Sequence, residues 1–119
     1  MTKSAADLVT QAKAQVENLD VDQVAAELEG GDVQVVDLRE SEEVAATGRI
    51  PGAVHIPRGL LEFKADAIDP SKRVILHCAA GGRSALAAVT LKEMGFDNVA
   101  HLDGGMSAWL QAGRPVEKG

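Results

Sequence analysis

A single cysteine, set between a short apolar run and an alanine-rich segment, constrains this chain more than any other feature. Arg73-Val74-Ile75-Leu76-His77 reads as a buried strand, and Ser84 to Met94 reads as a helix. Cys78, Ala79, Ala80, Gly81, Gly82 and Arg83 lie between them, so the cysteine falls where a strand ends and a helix begins. A glycine-containing loop at such a junction turns unpaired backbone N–H groups inward and makes a concave site for an anion. The same groups, with Arg83, favour a thiolate at Cys78 over the neutral thiol. A cysteine after an apolar strand is commonly an inert core residue, and an arginine at a helix start is commonly a solvated one. The two glycines and the arginine together favour a nucleophile in an anion-binding bowl.

The rest of the chain bounds what that nucleophile can do. At 119 residues there is room for one core, and with no Tyr, two Phe and one Trp it must be built from Val, Leu, Ile and Ala. The formal net charge of -6 argues against nucleic acid or an anionic membrane surface as the main partner. One cysteine allows no internal disulfide, and three scattered histidines do not make a metal-site spacing, so no metal site is expected. No stretch approaches a membrane span, and a reducing, cytoplasmic location is the simplest expectation.

In chain order, Ser4 and Asp7 announce a helix over residues 5–15, whose apolar face has packing as its simplest role. Val16 to Leu19 reads as a short edge strand. Asp20 and Gln23 cap a second helix that Gly30 and Gly31 end. Val33-Gln34-Val35-Val36-Asp37-Leu38-Arg39 is a strand buried on both faces, as in a parallel sheet. Asp37 and Arg39 end it, with structural roles expected for both: Asp37 capping a loop N–H, and Arg39 pairing with Glu42 or Glu43. Glu40 to Ala46 is expected to be helical. Ala53 to Pro57 follows as a strand carrying a structural His55, and Leu60 to Ala67 as a loosely helical segment with Phe63 expected in the core, the alternative being a place at the mouth of the site. Asn98 to Leu102 forms the last strand. The Asp103-Gly104-Gly105 turn then lets the backbone approach the pocket before a short helix carrying a buried Trp109. Alternating strands and helices imply an α/β fold with a mostly parallel sheet, and the right-handed crossover rule gathers the strand ends near Asp37, Pro57, Cys78 and Leu102 on one edge.

From about Leu19 to Val116 the residues resemble the rhodanese family of single-domain sulfurtransferases. The likeness rests on Val36-Asp37-Leu38-Arg39-Glu40, on Gly48-Arg49-Ile50-Pro51-Gly52-Ala53-Val54-His55-Ile56-Pro57, on Cys78 to Arg83, and on Gly104-Gly105-Met106-Ser107-Ala108-Trp109. It implies a three-layer fold with a central five-stranded sheet flanked by helices, residues 19–119 forming the domain and residues 1–18 an N-terminal helical extension. It further implies sulfur transfer through a persulfide on Cys78, with no metal or organic cofactor needed. The donor would be a small sulfur-containing anion such as thiosulfate, and the acceptor cyanide, a thiol or a protein. By this likeness Cys78 and Arg83 are catalytic and Ala79, Ala80, Gly81, Gly82 and Ser84 bind the transferred sulfur. Asp37, Arg39, Gly104 and Gly105 support them.

Two departures from the pattern stand out: Arg49 stands where histidine is frequent, and Ala79 and Ala80 stand where some thiosulfate-using relatives carry basic residues. The second weakens thiosulfate as the physiological donor without weakening sulfur transfer. A protein-fed sulfur relay or binding domain is one alternative. Cysteine-dependent phosphatases are another, similar in layout but with five residues between cysteine and arginine where this chain has four, Ala79 to Gly82.

Overall fold

Residues 2–118 are described by a computed structural model. Two capping boxes open the chain. Ser4 and Asp7 exchange hydrogen bonds at the start of α1 (Ala5–Gln15), and Asp20 and Gln23 do the same for α2 (Val21–Gly30). Between these helices lies β1 (Glu17–Leu19). The remaining elements are β2 (Val33–Asp37), α3 (Ser41–Thr47), β3 (Val54–His55), α4 (Leu61–Lys64), β4 (Arg73–His77), α5 (Gly82–Glu93), β5 (Val99–Leu102) and α6 (Gly105–Gln111). The strands form one sheet in the order β1-β5-β4-β2-β3, and every neighbouring pair is parallel.

The strand alternation sorts the core into two layers. Val74 and Leu76 of β4, with Val36, pack against Leu61, Ala87, Ala88 and Leu91 on the side of α4 and α5. Ile75, with Val35, Ala100 and Leu102, packs against Val24, Met106 and Trp109 on the side of α2 and α6. A sheet buried on both faces needs apolar residues of both parities, which is why β4 and β5 read as continuous runs. β4 lies at the centre, between β5 and β2, so the residue after it emerges at the middle of the sheet's carboxyl edge.

Several expectations are revised. The strand from Val33 stops at Asp37, and the one from Ala53 to Pro57 shrinks to Val54–His55, paired only with Val36 and Asp37. The segment from Leu60 to Ala67 is not one helix. A single turn, α4, is flanked by 3-10 turns at Arg58–Leu60 and Ala65–Ala67, and this break turns Phe63 outward, 84% exposed rather than in the core. Trp109 is buried and donates its indole N–H to the carbonyl of Pro115. α1 packs on α5, and β1 extends the sheet by pairing with β5.

Candidate active site

Cys78 follows β4 directly, and its side chain is buried. Two backbone amides point at its sulfur: Gly81 N–H donates to Sγ at 3.1 Å and Ser84 N–H at 3.4 Å. The Ser84 hydroxyl lies 3.6 Å from Sγ. The amides turn inward because the loop's carbonyls are taken up elsewhere. The first turn of α6 donates Met106 N–H to the Cys78 carbonyl at 2.8 Å and Ser107 N–H to the Ala79 carbonyl at 3.0 Å. One helix start thus satisfies its own orphan donors while orienting the loop at the start of another.

That arrangement depends on two glycines. A Cβ on Gly105 would come within 2.6 Å of the carbonyl oxygens of Cys78 and Ala79. Gly81 has φ +112°, a conformation side chains disfavour, and its missing Cβ would lie 3.2 Å from the Gly104 nitrogen. Within the loop from Cys78 to Arg83 the left-handed backbone angle belongs to Gly81, while Gly104 and Gly105 adopt it at the start of α6. Gly82 is the first residue of α5, with only Val9 Cγ2 nearby at 3.6 Å. Ala79 is half-buried and Ala80 exposed, so the outer loop presents no charge.

Arg83 lies bidentate on Glu43, with Nη1 to Oε1 at 2.8 Å and Nη2 to Oε2 at 2.9 Å. Those bonds hold the Glu43 carboxyl down to about 2 and the Arg83 guanidinium further above its ordinary value. Arg39 does not take the Glu42 or Glu43 carboxylate, as its sequence spacing suggests. It grips Asp37 bidentately, Nε to Oδ1 at 3.0 Å and Nη2 to Oδ2 at 2.8 Å. Its other donors go to Thr47 Oγ1 and to the carbonyls of Glu43 and Gly48, occupying all five guanidinium N–H groups. Asp37 Oδ1 also accepts the Arg39 amide. Burial raises the Asp37 carboxyl, but the Arg39 hydrogen bonds and the neighbouring His77 outweigh it and the net shift is downward. Arg39 thus ties β2 to α3, the helix that carries Glu43 to Arg83. The His55 ring nitrogen Nε2 lies 2.7 Å from the Arg39 carbonyl oxygen, a structural contact.

Behind the cysteine runs a polar chain that the sequence did not reveal. Ser84 Oγ is 2.9 Å from His101 Nδ1, and His101 Nε2 is 2.7 Å from Asn18 Oδ1. β5 brings His101 beside β4, and β1 brings Asn18 beside β5. His77, at the end of β4, is fully buried, and its Nε2 has no hydrogen-bond partner among the described residues, lying 3.6 Å from Asp37 Oδ2.

Geometry of this kind defines a class: an open parallel α/β sheet with a cysteine at the central strand's carboxyl end, cradled by amides at a helix start. The chain belongs to the Rhodanese-like domain family, whose model matches residues 20–112. Among its relatives is the thiosulfate sulfurtransferase GlpE of Shewanella oneidensis, 36% identical over 95 residues that cover 80% of this chain and 93% of that protein. Two solved structures show the same fold. A Rhodopseudomonas palustris protein of unknown function, described as a possible tyrosine phosphatase, is 37% identical with a TM-score of 0.90, covering 98% of this chain and 96% of that one. The polysulfide-sulfur transferase homodimer of Wolinella succinogenes is 34% identical with a TM-score of 0.80, covering 92% and 84%. Sulfur transfer is the activity that this membership supports.

Proposed function

We propose that the chain is a sulfurtransferase that carries sulfane sulfur as a persulfide on Cys78. The observation that carries this reading is the pair of amides, Gly81 and Ser84, aimed at Sγ. The Cys78 thiolate attacks the outer sulfur of a donor such as thiosulfate; the donor's S–S bond breaks and sulfite leaves with the bonding electrons. The persulfide's terminal sulfur then carries the negative charge inside a bowl of amides from Ala79 to Ser84, with Arg83 fixing the loop against α3. A thiophilic acceptor, cyanide in an assay and a thiol or protein in the cell, takes that sulfur and regenerates the thiolate. With one cysteine in the chain, discharge needs an outside acceptor. The transferring domain is assigned to residues 19–119, and residues 1–18 to an extension that carries α1 and the start of β1. A reducing, cytoplasmic setting suits the free thiol.

A protein-fed relay is a second reading, favoured by the uncharged side chains of Ala79 and Ala80 and by the neutralisation of Arg83 by Glu43. The test is the intact mass of the protein after incubation with thiosulfate, before and after cyanide, alongside thiocyanate release. A reversible gain of one sulfur atom with thiocyanate produced is expected. If no sulfur is gained from thiosulfate or from a protein persulfide, the sulfur-transfer reading fails. Uptake from the protein persulfide alone would select the relay. Hydrolysis of an aryl phosphate in the absence of any sulfur uptake would select phosphatase chemistry instead.

A further inference from the structure

The Asn18 amide fixes the proton arrangement of the buried chain. Its Nδ2 donates to the carbonyls of Lys13 and Val16, at 2.9 and 3.1 Å, so Oδ1 is the atom that faces His101 Nε2. An acceptor there puts the imidazole proton on Nε2 and leaves Nδ1 with a lone pair, which takes the Ser84 hydroxyl proton. The Ser84 oxygen then offers its own lone pair to the Cys78 thiol. Three residues from separate elements thus form one directed path, S–H to Oγ–H to Nδ1, ending on a ring that is itself fully buried.

We propose that His101 is a positioning residue that, acting through Ser84, takes up the Cys78 thiol proton as the thiolate forms. The Cys78 proton moves to Ser84 Oγ while the Ser84 hydroxyl proton moves to His101 Nδ1. The result is a thiolate, a neutral serine whose O–H now donates to Sγ, and an imidazolium whose Nε2–H still donates to Asn18. No covalent bond other than those to hydrogen changes, and no electrons are gained or lost. Burial lowers the basicity of His101, so the ring rests neutral, and the imidazolium forms only together with the thiolate that offsets its charge; the Asp103 carboxylate pulls the shift the other way and Lys13 reinforces burial. These two are the charged groups that face the ring, from the turn after β5 and from α1, and they are paired with each other at 2.8 Å. Asn18 of β1, Ser84 of α5 and Cys78 after β4 complete its surroundings. The inference deepens the proposed sulfur transfer by naming where the nucleophile's proton goes.

The test reads the thiolate directly, by its ultraviolet absorbance across pH, and needs no sulfur donor. Its failure is therefore distinguishable from failure of sulfur transfer itself. The chain has one cysteine and no tyrosine, so neither a second thiolate nor a tyrosinate overlaps. His101→Asn keeps an acceptor for the Ser84 hydroxyl but cannot be protonated; Ser84→Ala breaks the path and keeps the ring. With folding checked by thermal melting, each variant is expected to hold about tenfold less thiolate than the parent at a pH on the rising limb, the equivalent of one pH unit of displacement. Curves that superimpose on the parent's overturn the proposal. If either variant does not fold, NMR titration of His101 in the parent decides. Alkylating Cys78 is expected to move the ring's titration to lower pH by removing the thiolate, and an unmoved titration overturns the proposal.

Discussion

Arg83 and Glu43, forty residues apart, meet in a bidentate ion pair that leaves the loop's only arginine neutralised. With Ala79 and Ala80 uncharged, a small anionic donor meets no free cation on the loop. Glu43→Gln removes the opposing charge and keeps a side chain that can still bond Arg83. The KM for thiosulfate is then expected to fall about two- to fivefold, an effect that shrinks as salt is added. Steady-state thiocyanate assays at two ionic strengths check this; a KM that does not fall shows that Arg83 plays no part in donor capture.

Replacement of Cys78 by serine is expected to abolish sulfur uptake while leaving the fold intact. The two side chains are close in size, and the Gly81 and Ser84 amides can bond the serine oxygen. Mass spectrometry after donor incubation and circular dichroism of the variant check the two halves separately. A residual sulfur adduct would move the nucleophile away from Cys78.

The two glycines of the loop and Gly105 of α6 behind it are expected to differ sharply. Gly105→Ala drives a methyl into the Cys78 and Ala79 carbonyls and is expected to destabilise by about 3 kcal/mol or more and to abolish transfer. Gly81→Ala is strained by its φ of +112°, at about 1–3 kcal/mol. Gly82→Ala sits in helical backbone with space around it and is expected to be neutral or to stabilise by up to about 1 kcal/mol. Denaturant melts of the three variants test the ranking.

Why some of this was legible in the sequence and some not follows from which contacts are local. The runs at Val33–Asp37 and Arg73–His77 declare two-faced burial by themselves, and the Ser4–Asp7 and Asp20–Gln23 boxes fix where α1 and α2 start. The periodicity of Leu60, Leu61, Phe63 and Ala67 points Phe63 to the core only if the segment is one continuous helix. The chain breaks into three short turns and buries only Leu61 and Ala65. Spacing alone offers Arg39 a carboxylate on the following helix, yet Asp37, two residues back, already faces it in the buried strand end. Glu43, thereby released, reaches Arg83, and His101 reaches Ser84; both pairings depend on the order of strands in the sheet, which no local pattern encodes.

The Asp37–Arg39 pair is buried on both sides, with side chains 0% and 2% exposed. Removing one partner leaves the other charge without compensation. Arg39→Ala is therefore expected to destabilise by about 3–5 kcal/mol. The double variant Asp37→Asn with Arg39→Met removes both charges and is expected to recover part of that loss. Chemical denaturation of the double variant and of its two component singles, Asp37→Asn and Arg39→Met, provides the measurement, and additive losses would show that the pair is not coupled.

His77 links the fold to pH. Burial holds its ring below the ordinary value near 6.5, against the pull of the Asp37 carboxylate, and Nε2 has no partner. A ring kept neutral in the fold but free to charge when unfolded binds fewer protons folded than unfolded. Stability is then fully present above about 6.5 and declines as pH falls below it toward the lower folded value. His101, shifted the same way by burial, adds to the slope. Glu43 does not contribute until lower pH, because its carboxyl is depressed from an ordinary 4.5 to about 2 and the Arg83 pair weakens only across that range. Two acid phases in the melting temperature are expected, one beginning near pH 6.5 and one below about 4.5. His77→Gln should flatten the first and spare the second, whereas a slope below pH 6.5 that this variant leaves unchanged would assign the phase to His101 alone.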